Sequence, residues 1–82
     1  MNNLDVHNLT LKQAQIVILK NIEIAFNNGS SVLYINHGFN NGSKIKSWCK
    51  KELPNNSNVI KVDSGDNEGI SVVFIKLNLK GE

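Results

Sequence analysis

Asp5 and His7 stand two residues apart in the stretch Leu-Asp-Val-His-Asn, residues 4–8. In an extended strand, side chains two apart share a face, so a carboxylate and an imidazole would project side by side. An imidazole exchanges protons near neutral pH, and a neighbouring carboxylate can orient it and support its cation during acid–base catalysis. The same two residues also serve, more commonly, as a hydrogen-bonded pair that closes a strand end. A second histidine, His37, opens His-Gly-Phe-Asn-Asn-Gly, residues 37–42. Gly38 and Gly42 permit positive φ and close backbone approach, and Asn40 and Asn41 tolerate the left-handed region. Such a loop can present several amide N–H groups to a phosphate, with Lys44 and Lys46 just beyond it. Its plainer use is a turn between a strand and a helix.

Two histidines and an aspartate invite a metal reading, but no spaced zinc signature accompanies them. They would hold Mg²⁺ or Mn²⁺ only with several waters completing the shell. The cofactor reading is therefore Mg²⁺, Mn²⁺ or none.

These residues need elements to place them. Leu4 to His7 reads as a short extended segment. Thr10-Leu11-Lys12-Gln13 fits a capping box, with Thr10 as N-cap. Leu11, Ala14, Ile18, Ile22 and Ala25 follow at three- and four-residue steps, the spacing of one helix face, and Val17, Leu19 and Phe26 widen it. Asn27-Asn28-Gly29 ends that helix, with Gly29 suited to a left-handed position. Ser31 to Asn36 is an apolar strand of the kind buried in a parallel sheet. A second helix is expected from Ser43 to Leu53, burying Ile45, Trp48, Cys49 and Leu53, and Pro54 breaks the chain after it. Val59 to Asp63 forms a third strand, residues 64–69 a turn-forming loop, and Ile70 to Leu79 a long fourth strand. If the spatial order follows the chain, right-handed crossovers make the first three strands parallel and put both helices on one face. The short last connection reverses the fourth strand. Asp5, His7 and His37 then fall at the carboxyl ends of the first two strands, the edge where open α/β sheets bind ligands.

Composition narrows the function classes. Hydrophobic residues make up 40% of the 82 and charged residues 20%, the proportions of a globular chain with one core. No apolar run is long enough to span a membrane, and no basic n-region precedes an apolar stretch. One cysteine, Cys49, cannot form an internal disulfide, so a cytoplasmic location is expected. The formal charge is only +2, but it is polarised. Lys44, Lys46, Lys50 and Lys51 fall together, and Asp63, Asp66 and Glu68 cluster later.

Leu-Asp-Val-His-Asn-Leu-Thr opening a capped helix, Val-Leu-Tyr-Ile-Asn-His-Gly at 32–38, a glycine-bearing loop and a basic helix containing Trp48 together resemble the Smr (small MutS-related) domain. The likeness runs from Leu4 to Leu79, and its most specific parts are the Leu-Asp-x-His opening and the His-Gly loop. It implies one Smr-like domain over 1–82 with an α/β two-layer sandwich fold. The order would be βαβαββ, with two helices on one face of a four-stranded mixed sheet and the fourth strand antiparallel among the others. That arrangement is similar to the C-terminal domain of translation initiation factor 3. The resemblance also implies binding of nucleic acid and endonuclease activity, either nicking of DNA or cleavage of RNA. It assigns cleavage to Asp5 and His7 and substrate contact to His37, Gly38 and Gly42. Asn40, Asn41, Lys44 and Lys46 complete the expected phosphate surface. The implied partner is DNA or RNA and no membrane, with the ribosome or another targeting partner for delivery. Two positions depart from the family pattern: Asn8 stands where a glycine usually follows the first histidine, and Asn40 replaces the middle glycine of the loop. A non-catalytic nucleic-acid-binding module would use the same loop–helix surface. A small-ligand or protein-interaction domain is a third reading, drawing on the acidic segment 63–68.

Overall fold

The structure, a computed structural model, describes residues 2–39 and 43–79. In chain order it forms β1 (Asn3–Asp5), α1 (Leu11–Asn27), β2 (Val32–Asn36), α2 (Ser43–Glu52), a single 3₁₀ turn (Leu53–Asn55), β3 (Val59–Ser64) and β4 (Ile70–Ile75). The two helices pack against a four-stranded mixed sheet of order β1-β2-β4-β3. β1 and β2 pair parallel, and β4 runs antiparallel to both β2 and β3. The first three strands therefore point the same way, as expected, but spatial order does not follow the chain. The last strand is inserted between the second and the third.

α1 forms for local reasons. The Gln13 N–H donates to Thr10 Oγ1 at 3.2 Å and the Thr10 N–H to Gln13 Oε1 at 3.0 Å, closing the capping box. At the other end Gly29 has φ +76°, its N–H donates to the Phe26 carbonyl, and the Ser30 N–H donates to that of Ala25. This pair of bonds is a Schellman closure, which requires the left-handed residue that glycine supplies. Ala14, Ile18, Ile22 and Ala25 face inward, whereas Leu19, expected to widen the apolar stripe, is exposed. Its helical position falls beyond the width that the sheet covers.

The core joins those α1 residues to Ile45 and Cys49 of α2, Leu53, and the inward residues Leu33, Ile35, Val73 and Ile75 of the two central strands. Each fully buried aliphatic side chain there contributes about 1.5–3 kcal/mol. Trp48, expected in the core, packs against its margin and is half-buried. Burial pushes the Cys49 thiol up to about 12, so this cysteine is a packing residue. The alternate residues Tyr34, Val72 and Phe74 point to the opposite face of the sheet, over which no described element lies.

Two strand ends differ from expectation. β1 stops at Asp5, leaving His7 in the following turn. β4 stops at Ile75 rather than Leu79 because its neighbours run out. The Ile75 amide meets the Ser31 carbonyl, the Lys76 amide meets that of Asn58, and Leu77 and Leu79 are exposed. Among the described residues, no helix is long and apolar enough to cross a membrane.

Candidate active site

Asp5 ends β1 in register with Asn36 of β2, and the buried Val6 anchors the chain just beyond through its N–H to the Asn36 carbonyl at 2.9 Å. The chain then turns on Asp5's own carboxylate. Oδ1 accepts the His7 backbone N–H at 3.1 Å and the His7 Nδ1 at 2.5 Å. A carboxylate of this kind, bonding its own backbone two residues on, is a turn former in its own right. So Asp5 and His7 do meet, through a turn rather than through strand alternation. A carboxylate only accepts, so Nδ1 donates, and in the neutral ring Nε2 keeps its lone pair. The hydrogen bond from the His7 side chain, with the one from its backbone, holds the Asp5 carboxyl below the usual carboxylate range. Both side chains remain open to solvent, 58% exposed for Asp5 and 47% for His7.

Gly38 brings the second motif to the first. Its φ is +76°, and a Cβ built on it would lie 3.1 Å from the Cβ of His7. Gly38 thus lies directly against the imidazole-bearing residue, where any side chain would press on His7 as well as strain the left-handed backbone. Gly29 and Gly38 alone have positive φ among the described residues, so Asn8 occupies an ordinary backbone conformation despite replacing a family glycine.

His37 requires a correction. Three polar side chains were expected to open onto one surface, but His37 is only 1% exposed. Its Nδ1 lies 3.2 Å from the Gly38 carbonyl and its Nε2 2.8 Å from Ser71 Oγ. The carbonyl can only accept, so Nδ1 carries the proton and the Ser71 hydroxyl donates to Nε2. Burial lowers the pKa of this ring against the favourable Gly38 bond, and the nearby Lys46 charge acts in the same direction as burial. His37 is therefore a neutral pin between the end of β2 and the start of β4. The amides of His37 and Gly38 both donate to the Gly69 carbonyl, at 2.9 and 3.1 Å, and neither faces a phosphate. The β2–β4 pairing simply continues past the formal strand ends and consumes them. Asn40, Asn41 and Gly42 lie outside the described residues.

Lys44 is exposed at the start of α2, beside the turn that follows His7, and lines a cleft with Asn8 and Thr10. Lys46 is bound to Glu68 of the β3–β4 loop, whose carboxyl that lysine holds below its usual range. Lys61 likewise pairs with Asp63 at 3.2 Å. Two of the three acidic residues that suggested a separate ligand surface thus have partners within the chain.

Ser71, Asn36 and Tyr34 were not singled out from the sequence. Ser71 is a lone polar residue at an inward strand position, a pattern that does call for a buried partner. Asn36 Oδ1 accepts the Gly38 N–H at 3.2 Å, tying the loop to the end of β2. Among the described residues no three of His, Cys, Asp and Glu gather as a metal set, since His37 is turned inward from Asp5 and His7.

A family model described as the Smr domain matches residues 4–78. The crystal structure of the Smr domain of MutS2 from Thermus thermophilus superposes with a TM-score of 0.85 at 21% identity, covering 93% of this chain and 99% of that one. Among proteins of curated function, no sequence match is found.

Proposed function

The chain belongs to the Smr domain family, and from that premise we propose that it is an endonuclease that cuts a phosphodiester bond of DNA or RNA with Asp5 and His7. One observation carries this reading: the exposed imidazole is held by Asp5 through Nδ1, with Gly38 close to the His7 Cβ from which the ring extends. The held ring offers Nε2 as the base. It takes a proton from the attacking hydroxyl as that oxygen bonds to phosphorus and the opposite ester oxygen departs. Asp5 fixes the tautomer and supports the imidazolium, and Lys44 offers charge to the phosphate. A ribose 2′-hydroxyl as nucleophile would leave a 2′,3′-cyclic phosphate, whereas water would not, so the product ends identify the attacking group. His37 and Gly38 act as positioning residues.

Labelled single- and double-stranded RNA and DNA, incubated with and without EDTA, test the reading. The wild type should cut at least one of them. His7→Ala and Asp5→Asn should each lose about 10²–10⁴-fold in rate while binding persists, the usual span for acid–base groups. Equal cleavage by wild type and His7→Ala would overturn it.

A second reading, a non-catalytic nucleic-acid-binding module on the same surface, is favoured by one observation. The loop amides at 37 and 38 are already bonded to Gly69, which removes them as stabilisers of developing charge. Binding without cleavage in every metal condition would establish that reading.

A further inference from the structure

The helix-free face of the sheet carries a cavity of about 310 Å³ lined by Asn3, Leu4, Asp5, Tyr34, Asn36 and Ile70. It lies on the face to which the parallel register turns Asn3 and Asp5 of β1 beside Tyr34 and Asn36 of β2. Tyr34, 43% exposed, supplies its aromatic surface. Asn36 uses its carboxamide oxygen on the Gly38 N–H, which leaves its NH₂ for a ligand. Asn3 adds a second carboxamide at the opposite end of the register.

We propose that this cavity holds an unpaired nucleobase next to the bond to be cut, stacked on Tyr34 and read along its edge by Asn3 and Asn36. The inference rests on the endonuclease reading, because Asp5 belongs at once to the cavity and to the Asp5–His7 pair. A nucleotide bound at that pair reaches the cavity without leaving the surface. The lining fits a base better than it fits a second protein. Every base has a π-face for a tyrosine and hydrogen-bonding edges for carboxamides, whereas an apolar protein surface would leave the Asn36 NH₂ and the Asn3 carboxamide without a partner. A base inside a duplex cannot enter, so the substrate is single-stranded or locally unpaired nucleic acid.

Short RNA and DNA oligonucleotides containing 2-aminopurine, single-stranded and as duplexes, test this on a His7→Ala background where the strand stays intact. Single strands should bind at least ~10-fold more tightly than the matching duplex, with 2-aminopurine fluorescence quenched by stacking. Tyr34→Leu should weaken binding by ~10-fold and abolish the quench. Tyr34→Phe, which keeps the ring, should restore both. Leu19→Ala, altering a side chain of equal exposure on α1, should change neither. Circular dichroism verifies that Tyr34→Leu is folded; should it unfold, the comparison of Tyr34→Phe with an abasic strand decides in its place. Loss of quench on an abasic strand's neighbouring base supports the platform, and unchanged binding overturns it. Unaltered affinity in Tyr34→Leu, equal affinity for duplexes, or Tyr34-dependent dimerisation in sedimentation would also overturn it. The two readings fail separately. Cleavage by wild-type protein with no Tyr34 effect sinks the platform alone, and Tyr34-dependent binding without cleavage sinks the enzyme alone.

Discussion

Gly38 meets two demands at one carbon: a left-handed backbone and a close approach to His7, whose Cβ lies 3.1 Å from where a side chain would begin. Gly38→Ala should therefore destabilise the fold by about 1–2 kcal/mol through φ alone. It should also lower cleavage more than binding, because His7 would shift against Asp5; a thermal melt beside rate and affinity measurements checks both. His37 makes a different prediction, in pH. The unfolded chain protonates this ring near pH 6.5, and the buried ring does so only at lower pH. Between those values the unfolded state holds more protons, so stability is full above about pH 6.5 and falls as pH drops through the window. Denaturation midpoints from about pH 7 to pH 5 should show that slope, and His37→Gln should flatten it. The sequence made Asp5 and His7 legible as a pair because two residues apart is a local relation. The inward turn of His37 was not legible, since its partner Ser71 lies on another strand and only pairing with β4 brings them together.

At the scale of elements, whatever depends on neighbouring residues could be read directly. The cap of α1, its glycine stop and the inward positions Ala14, Ile18, Ile22 and Ala25 are set within a few residues and stand where the pattern put them, Leu19 apart. Thr10→Ala should cost about 1 kcal/mol and lower the melting temperature by roughly 4–8 °C, as expected for a lost cap in a chain of this size. An unchanged melt would show that α1 is held by packing alone. Strand ends were legible only in part, because a strand continues for as long as it has a neighbour. The apolar–polar alternation through Leu77 and Leu79 promised a longer β4, but β2 and β3 offer it nothing beyond Ile75. β1 stops early for the opposite reason: a side chain, Asp5, takes the amide of His7 and bends the chain.

For the molecule as a whole, the polarised charge seen in the sequence is partly cancelled within the fold, since Lys46 and Glu68 meet across 22 residues of chain. Glu68→Gln should free that lysine, raise nucleic-acid affinity at low salt and steepen the salt dependence by about one phosphate contact. Titrations over a range of salt concentrations measure this, and an unchanged slope would mean that Lys46 lies away from the bound strand. The strand order β1-β2-β4-β3 has a consequence in time. β4 is the last strand of the sheet in the chain, yet it fills the sheet's centre, so β3 finds no partner until β4 arrives. A chain emerging from its N-terminus therefore completes its helices early and its sheet in one late, long-range step. Ser71 and Gly69 arrive in that same step, and with them the pin that sets the loop behind His7. Assembly of the candidate site is thus tied to the closing event of folding, and a partly made chain carries Asp5 and His7 without the wall that steadies them.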